Sequence, residues 1–300
     1  MRFGFWTNNT DSWEDIRSAC VHAGTTGWDG IWIADHFMPF MGDDGGPTHE
    51  AWTMLGALAD AVPGIRLGTL VSGNTYRYPA VLAKMAATLD NISGGHAVLG
   101  IGAGWQENEH VAYGMDYSTV KGRLDRLDEA AELITMLLHN ERSDFSGAHY
   151  RLENAPLSPR PVQARLPLLI GGGGEKRTLR TAARFADEWN VWGDPELLRH
   201  KNSVLDQHCS DVGRDPSTIQ RSAVALVFIS DDEANLTSMR GVDLGRPTVL
   251  GTPGEVIDIM GQYKDAGVDE FIVPDFTMGP PAQRIDTIDL FINEVAPALR

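Results

Sequence analysis

Asp35-His36 is the pair in this chain best suited to moving a proton. Imidazole titrates near neutral pH, and a neighbouring carboxylate can set its tautomer and raise its pKa, which suits a reacting carbonyl or alcohol. The pair closes the apolar run Trp28-Asp29-Gly30-Ile31-Trp32-Ile33-Ala34, which reads as a strand, so both side chains stand at a carboxyl end. An isolated Asp-His pair reads first as a strand-end hydrogen bond. The surrounding fold turns the reading towards chemistry.

The run Leu166-Pro167-Leu168-Leu169-Ile170 leads into Gly171, Gly172, Gly173 and Gly174, then Glu175-Lys176-Arg177 and a helix. A tight turn needs one or two glycines. Four let the backbone approach an anion, and the helix amides with Lys176 and Arg177 supply a positive field, so this loop reads as a phosphate site. Gly100-Ile101-Gly102-Ala103-Gly104-Trp105 is not a dinucleotide fingerprint, because Trp105 stands where the third glycine would be needed. A lone Trp is usually packing; beside these glycines Trp105 suits the wall or lid of a site for a flat ring.

A metal reading gathers Asp35, His36, His49 and Glu50 in or near one long loop. Metal-dependent barrel hydrolases start with His-x-His on the first strand, and here that strand ends Phe5-Trp6-Thr7-Asn8, so no metal site is expected. Cys20 and Cys209 are too few and too far apart for a disulfide framework and sit beside no activating base.

These groups meet only if strand ends bring them to one face. Apolar runs predict strands at residues 1–7, 28–35, 66–72, 96–102, 166–170, 188–192, 222–229 and 271–274. Between and after them lie helical patterns at 12–24, from 48 to before Pro63, 79–92, 120–140, 176–185, 195–212, 253–266 and 284–298. In 120–140, Leu124, Leu127, Ala131, Ile134 and Leu138 form a barrel-facing stripe, as Ile285, Ile288, Phe291 and Val295 do in the last helix. Residues 143–152 read as a surface hairpin, and 156–167 carry the chain back to the barrel.

Strict alternation of strand and helix over 300 residues fits one α/β domain, a (β/α)8 TIM barrel over residues 1–300 with loop insertions at the carboxyl ends of its strands. Apolar residues at 42% and charged residues at 22% are those of a soluble globular chain. A formal charge of -16 excludes nucleic-acid and acidic-membrane partners as the expectation. The amino terminus turns polar too early for a signal peptide, and no apolar run spans a bilayer, so a cytoplasmic location is expected.

The chain resembles the luciferase-like family of flavin and deazaflavin oxidoreductases, in particular the branch that uses coenzyme F420. The likeness is carried by Trp32-Ile33-Ala34-Asp35-His36-Phe37, residues 67–79, Leu89-Asp90-Asn91-Ile92-Ser93-Gly94-Gly95, Gly100 to Trp105 with Glu109, Ile170 to Gly174, Ala186-Asp187-Glu188-Trp189-Asn190, Gly251-Thr252-Pro253 and Ala266-Gly267-Val268-Asp269. It implies a barrel with the deazaflavin ring at the carboxyl ends of its strands. Asp35 and His36 then face the ring, Thr69 lies beside it, and a non-prolyl cis peptide at Leu70-Val71 backs it. Trp105 and Asn108 lie near its edge, and Gly172, Gly173 and Gly174 hold the phosphate, with Gly171, Lys176 and Asn190 completing the cofactor set.

The chain also departs from this branch's sugar-phosphate dehydrogenases, which carry a carboxylate where Trp105 stands and an acidic residue near the end of strand one, here Trp6-Thr7-Asn8. The departures argue against a sugar phosphate and leave His36 as the proton-transfer group, with Glu107 or Glu109 standing in only if the loop turns one inward. The implied activity is F420-dependent hydride transfer to or from a small organic molecule. An FMN-dependent monooxygenase, a flavin or deazaflavin carrier and a metal-dependent hydrolase are the alternatives. The resemblance further implies a homodimer through the helices after strands one to three, and the loops between Phe37 and Pro47 and between Gly241 and Thr252 are expected to shape the substrate pocket.

Overall fold

From the amino terminus, β1 (Arg2–Thr7), α1 (Trp13–Thr26), β2 (Gly30–Asp35), α2 (Ala51–Ala61), β3 (Arg66–Gly73), α3 (Pro79–Ile92) and β4 (Ala97–Gly102) alternate strictly. Next come α4 (Glu107–Ala112), α5 (Val120–His139) and an antiparallel hairpin of β5 (Arg142–Ser146) and β6 (Arg151–Pro156). β7 (Leu168–Gly171), α6 (Thr178–Phe185), β8 (Glu188–Trp192), α7 (Pro195–Asp211) and β9 (Gln220–Val224) follow. Then β10 (Leu226–Ile229), α8 (Glu233–Thr237), β11 (Thr248–Gly251), α9 (Pro253–Asp265), β12 (Glu270–Pro274) and α10 (Pro281–Leu290) complete the chain. The computed structural model describes residues 1–39 and 44–300.

Eight parallel strands close a barrel in the order β1-β12-β9-β8-β7-β4-β3-β2, the α/β TIM barrel expected from the sequence. Local chemistry sets the helix bounds. The Ser12 hydroxyl accepts the Asp15 amide at the start of α1, and Gly27 ends that helix at a φ of 100°. Asp194 caps α7 through the Leu197 amide at 2.8 Å, and Pro195 fills its first turn.

The strands are buried on both faces, which is why they read as nearly continuous apolar runs. Phe3, Phe5, Ile31 and Ile33 face the helices, whereas Trp6, Trp32, Ala34, Leu70, Val98 and Leu169 fill the barrel. At the strand starts an ion network plugs the base. Arg66 reaches Glu188 and Glu270 at 2.6 Å each, and the Trp32 indole N–H donates to Glu270 at 2.9 Å. Burial pushes the Glu188 carboxyl up against the pull of Arg66. The buried Asp90, part of the 89–95 motif, accepts from the Val162 and Gln163 amides at 2.7 and 3.0 Å, fixing the return segment to the end of α3.

One expected strand divides. Residues 222–229 read as a single apolar run, but β9 leaves the barrel after Val224. Leu226–Ile229 turns aside to pair with β11 in parallel, Leu226 opposite Thr248. The apolar run continues because Val227 and Ile229 remain buried in this second, two-stranded sheet. α8 and β11 fall in a polar stretch and carry no periodic signal. The last helix starts at Pro281, and its final turns widen at Phe291–Val295. Among the described residues no helix is long and apolar enough to cross a membrane.

Candidate active site

His36 follows β2 directly and is almost wholly buried. Its Nδ1 lies 2.9 Å from Glu109 Oε1, and the amides of Phe37 and Met38 donate to Glu109 Oε2 at 2.8 and 3.3 Å. The Tyr76 hydroxyl donates to Glu109 Oε1 as well. An ionised carboxylate can only accept, so the Nδ1 of His36 carries its hydrogen towards Glu109. Burial alone would raise the Glu109 carboxyl, but the hydrogen bonds from His36, Tyr76 and the Phe37 amide hold it below the ordinary carboxylate value. Burial, reinforced by Glu109, pushes the Tyr76 hydroxyl well up and keeps it a donor.

The carboxylate that orients His36 is therefore Glu109 and not its chain neighbour. Asp35 is buried and turned to Arg77, whose Nη1 and Nη2 lie 2.6 and 3.2 Å from its two oxygens. Arg77 also reaches Glu50, which caps α2 by accepting the Thr53 amide at 2.6 Å. His49 bonds the Asp11 carbonyl at 3.1 Å. Asp35 and Glu50 thus share Arg77, while His36 and His49 turn to Glu109 and the Asp11 carbonyl. Among the described residues no group of three or more His, Cys, Asp or Glu could hold an ion.

α4 is short, yet it clamps three loops. His110 links the Gln106 carbonyl and the Thr75 hydroxyl, each at 2.6 Å, while the Gln106 amide donates to the Met38 and Pro39 carbonyls at 3.3 and 3.2 Å. Glu109 is the α4 residue that reaches His36; Asn108, one position earlier, is exposed. Trp105 is 56% exposed and meets the His36 ring edge-on at 5.4 Å, as a lid would.

On β3, the strand paired with β2, the Leu70-Val71 peptide bond is cis, and the β3–β4 pairing shifts register between Gly68 and Ser72. Buried Thr69 donates to the Gly100 carbonyl at 2.8 Å and accepts from Ser72 at 3.2 Å. The Val71 side chain occupies space that Cβ atoms at Gly102 and Gly171 would need, at 2.8 and 2.9 Å. The family model described as luciferase-like monooxygenase matches residues 1–241.

The chain belongs to the luciferase-like monooxygenase family. It is 34% identical over 219 residues to an F420-dependent glucose-6-phosphate dehydrogenase of Microbacterium testaceum, covering 71% of this chain and 64% of that protein. It is 31% identical over 304 residues to a phthiodiolone/phenolphthiodiolone dimycocerosates ketoreductase of Mycobacterium kansasii, covering 94% of this chain and 81% of that one. An F420-dependent secondary alcohol dehydrogenase, solved with an F420-acetone adduct, shares the fold at a TM-score of 0.87 and 22% identity, covering 100% of this chain and 99% of that one.

In this luciferase-like barrel the glycine loop lies at the carboxyl end of β7. Gly172 has a φ of 120° and donates to the Asn190 carbonyl at 2.9 Å, while Cβ atoms at Gly173 and Gly174 would crowd Val191 and Thr178. Gly171 makes room for Val71, so that glycine serves the barrel wall. Among the described residues the amides of Gly173 and Gly174 donate to no protein acceptor. Lys176 is exposed, and Arg177 is paired with Asp125 at 2.8 Å. Buried Asn190 donates to Ser222 Oγ at 2.9 Å inside the barrel.

Tyr76, Arg77, Gln106 and His110 carry no signal of these roles in the sequence, because each works through contacts 27 to 68 residues distant. Glu109 was visible only as a carboxylate whose direction depended on the loop.

Substituting Glu109→Gln separates its charge from its shape. Because the folded carboxyl titrates below 4.5, its ordinary value, its charge stabilises the fold above that pH, and this contribution is lost as the pH falls through the folded value. Urea denaturation at neutral pH should show a loss of about 2 kcal/mol in the variant. The gap to wild type should narrow below pH 4.5; a gap that stays constant in acid would assign the loss to packing.

Proposed function

We propose that this protein is a coenzyme F420-dependent oxidoreductase that moves a hydride between the deazaflavin and a small organic substrate, with His36 as general acid or base. The observation that carries the reading is the placement of the buried His36–Glu109 pair at the same barrel mouth as the β3 bulge, where the pairing shifts register. The residues fit the cofactor. The bulge offers a face to a flat ring, and the amides of Gly173 and Gly174, which have no acceptor among the described residues, suit its phosphate with exposed Lys176 beside them.

When bound, the deazaflavin supplies or accepts the hydride. The chain does the rest. Glu109 and Tyr76 hold His36 in one tautomer, so the proton it exchanges with substrate is carried on Nε2. Arg77 anchors the end of β2 through Asp35, and Trp105 covers the His36 ring on its solvent side. The relatives' names, dehydrogenases and a ketoreductase, support transfer between alcohol and carbonyl. FMN-dependent oxygenation is the rival chemistry of the same barrel.

Anaerobic mixing with reduced F420 and a panel of carbonyl compounds should restore the visible absorption of oxidised deazaflavin. Oxygen uptake with reduced FMN, without any turnover of F420, would replace this reading with a flavin monooxygenase.

A further inference from the structure

Trp6 is a buried indole whose hydrogen-bond donor has no acceptor among the described residues. It is 6% exposed, and its Nε1 is unpartnered among the described residues. Buried indole N–H groups normally find a partner. Those of Trp32, Trp52 and Trp189 do so, donating to Glu270, Ser72 and the Gly172 carbonyl at 2.9 Å each. Trp28 is also unpartnered, but it is stacked on Phe291 between barrel and helices, away from the mouth.

Trp6 belongs to the inner cluster and forms an aromatic wall with Trp192 at 5.8 Å and Phe276 at 5.2 Å. The wall comes from β1, β8 and the segment after β12. In the closed strand order β12 and β8 flank β9, which lies diametrically opposite β3 and its bulge, and β1 follows beyond β12. A ring backed by the bulge therefore looks across the mouth at the wall. The inner residues packed with it, Ala34, Val224 and Ile272, carry no charge. Arg246 stands over the Trp192 ring at 5.1 Å from an exposed loop, at the rim.

We propose that this wall binds the substrate, and that the substrate is an uncharged carbonyl compound or its alcohol with a flat apolar body, one oxygen accepting the Trp6 N–H. The assignment rests on the F420 reading. In the carbonyl direction, reduced F420 gives a hydride to the carbonyl carbon and a proton adds to the oxygen from His36. The C=O bond becomes an alcohol, and the deazaflavin is oxidised by two electrons. A sugar phosphate would set several hydroxyls and a dianion against a wall of rings that offers one N–H, from Trp6, with Arg246 only at its rim.

The test is calorimetric titration of the F420-loaded protein with acetophenone and, separately, glucose 6-phosphate, repeated with Trp6→Phe, which keeps a ring and removes the donor. Acetophenone should bind and the sugar phosphate should not; the variant should bind acetophenone about fivefold more weakly with F420 affinity as in wild type. In wild-type protein carrying 15N-labelled indoles, the Trp6 N–H resonance should shift on adding acetophenone, a readout that needs no variant. Sugar-phosphate binding without acetophenone binding, or an unmoved indole resonance, overturns the assignment while F420 binding stands. Failure of the wild type to bind F420 overturns the cofactor reading and this inference with it.

Discussion

Replacing His36 with alanine lowers the turnover number by about 10²- to 10⁴-fold, the range that one positioned proton-transfer group supplies, and leaves F420 affinity within about threefold of wild type. The asymmetry follows from where the contacts lie. His36 is tied to Glu109 and Tyr76, whereas the surfaces offered to the cofactor are the β3 bulge and the β7 loop. Losing the imidazole removes the proton carrier and leaves Glu109 with two amides and the Tyr76 hydroxyl, so the loop should keep its shape. Steady-state kinetics and calorimetry on one preparation check both halves. Normal turnover in the alanine variant would take the proton-transfer role away from His36.

A second large effect is expected from a single methyl group. Gly100 faces the Thr69 carbonyl oxygen so closely that a Cβ there would overlap it, and the same Cβ would stand 3.1 Å from Val71. The atom in the way is backbone and cannot swing aside. Gly100→Ala should therefore push β3 from β4 beside the bulge, costing about 3 kcal/mol of stability and weakening F420 about tenfold or more. Gly56→Ala on α2 is the control, since nothing lies within 4 Å of its Cβ; that change should be neutral or stabilising by up to about 1 kcal/mol. Denaturation of both variants decides the matter. An unperturbed Gly100→Ala protein would mean that the bulge does not depend on close strand approach.

Much of the architecture was legible because a barrel repeats one rule. Each strand buried on two faces is an apolar run, and each helix carries a stripe bounded by Ser12, Pro79 or Pro195. The division of residues 222–229 was not legible, since β9 and β10 are both apolar and only the pairing partner differs. His36 was legible from its place at a strand end. The role of Glu109 was not, because its direction is set by the Gln106 and His110 contacts that seat α4. Asp35 shows the opposite case: chain adjacency suggested a partner for His36, but Arg77, 42 residues away, takes its carboxylate. The glycine loop was legible as a close-approach element, yet Gly171 serves Val71.

The central claim, that this luciferase-like barrel works with a deazaflavin, is tested most directly by calorimetric titration of the purified protein with F420 and, in parallel, with FMN. Tight, stoichiometric binding of F420 and weak binding of FMN are expected. Tight binding of FMN alone would contradict it and move the protein to oxygen-using flavin chemistry.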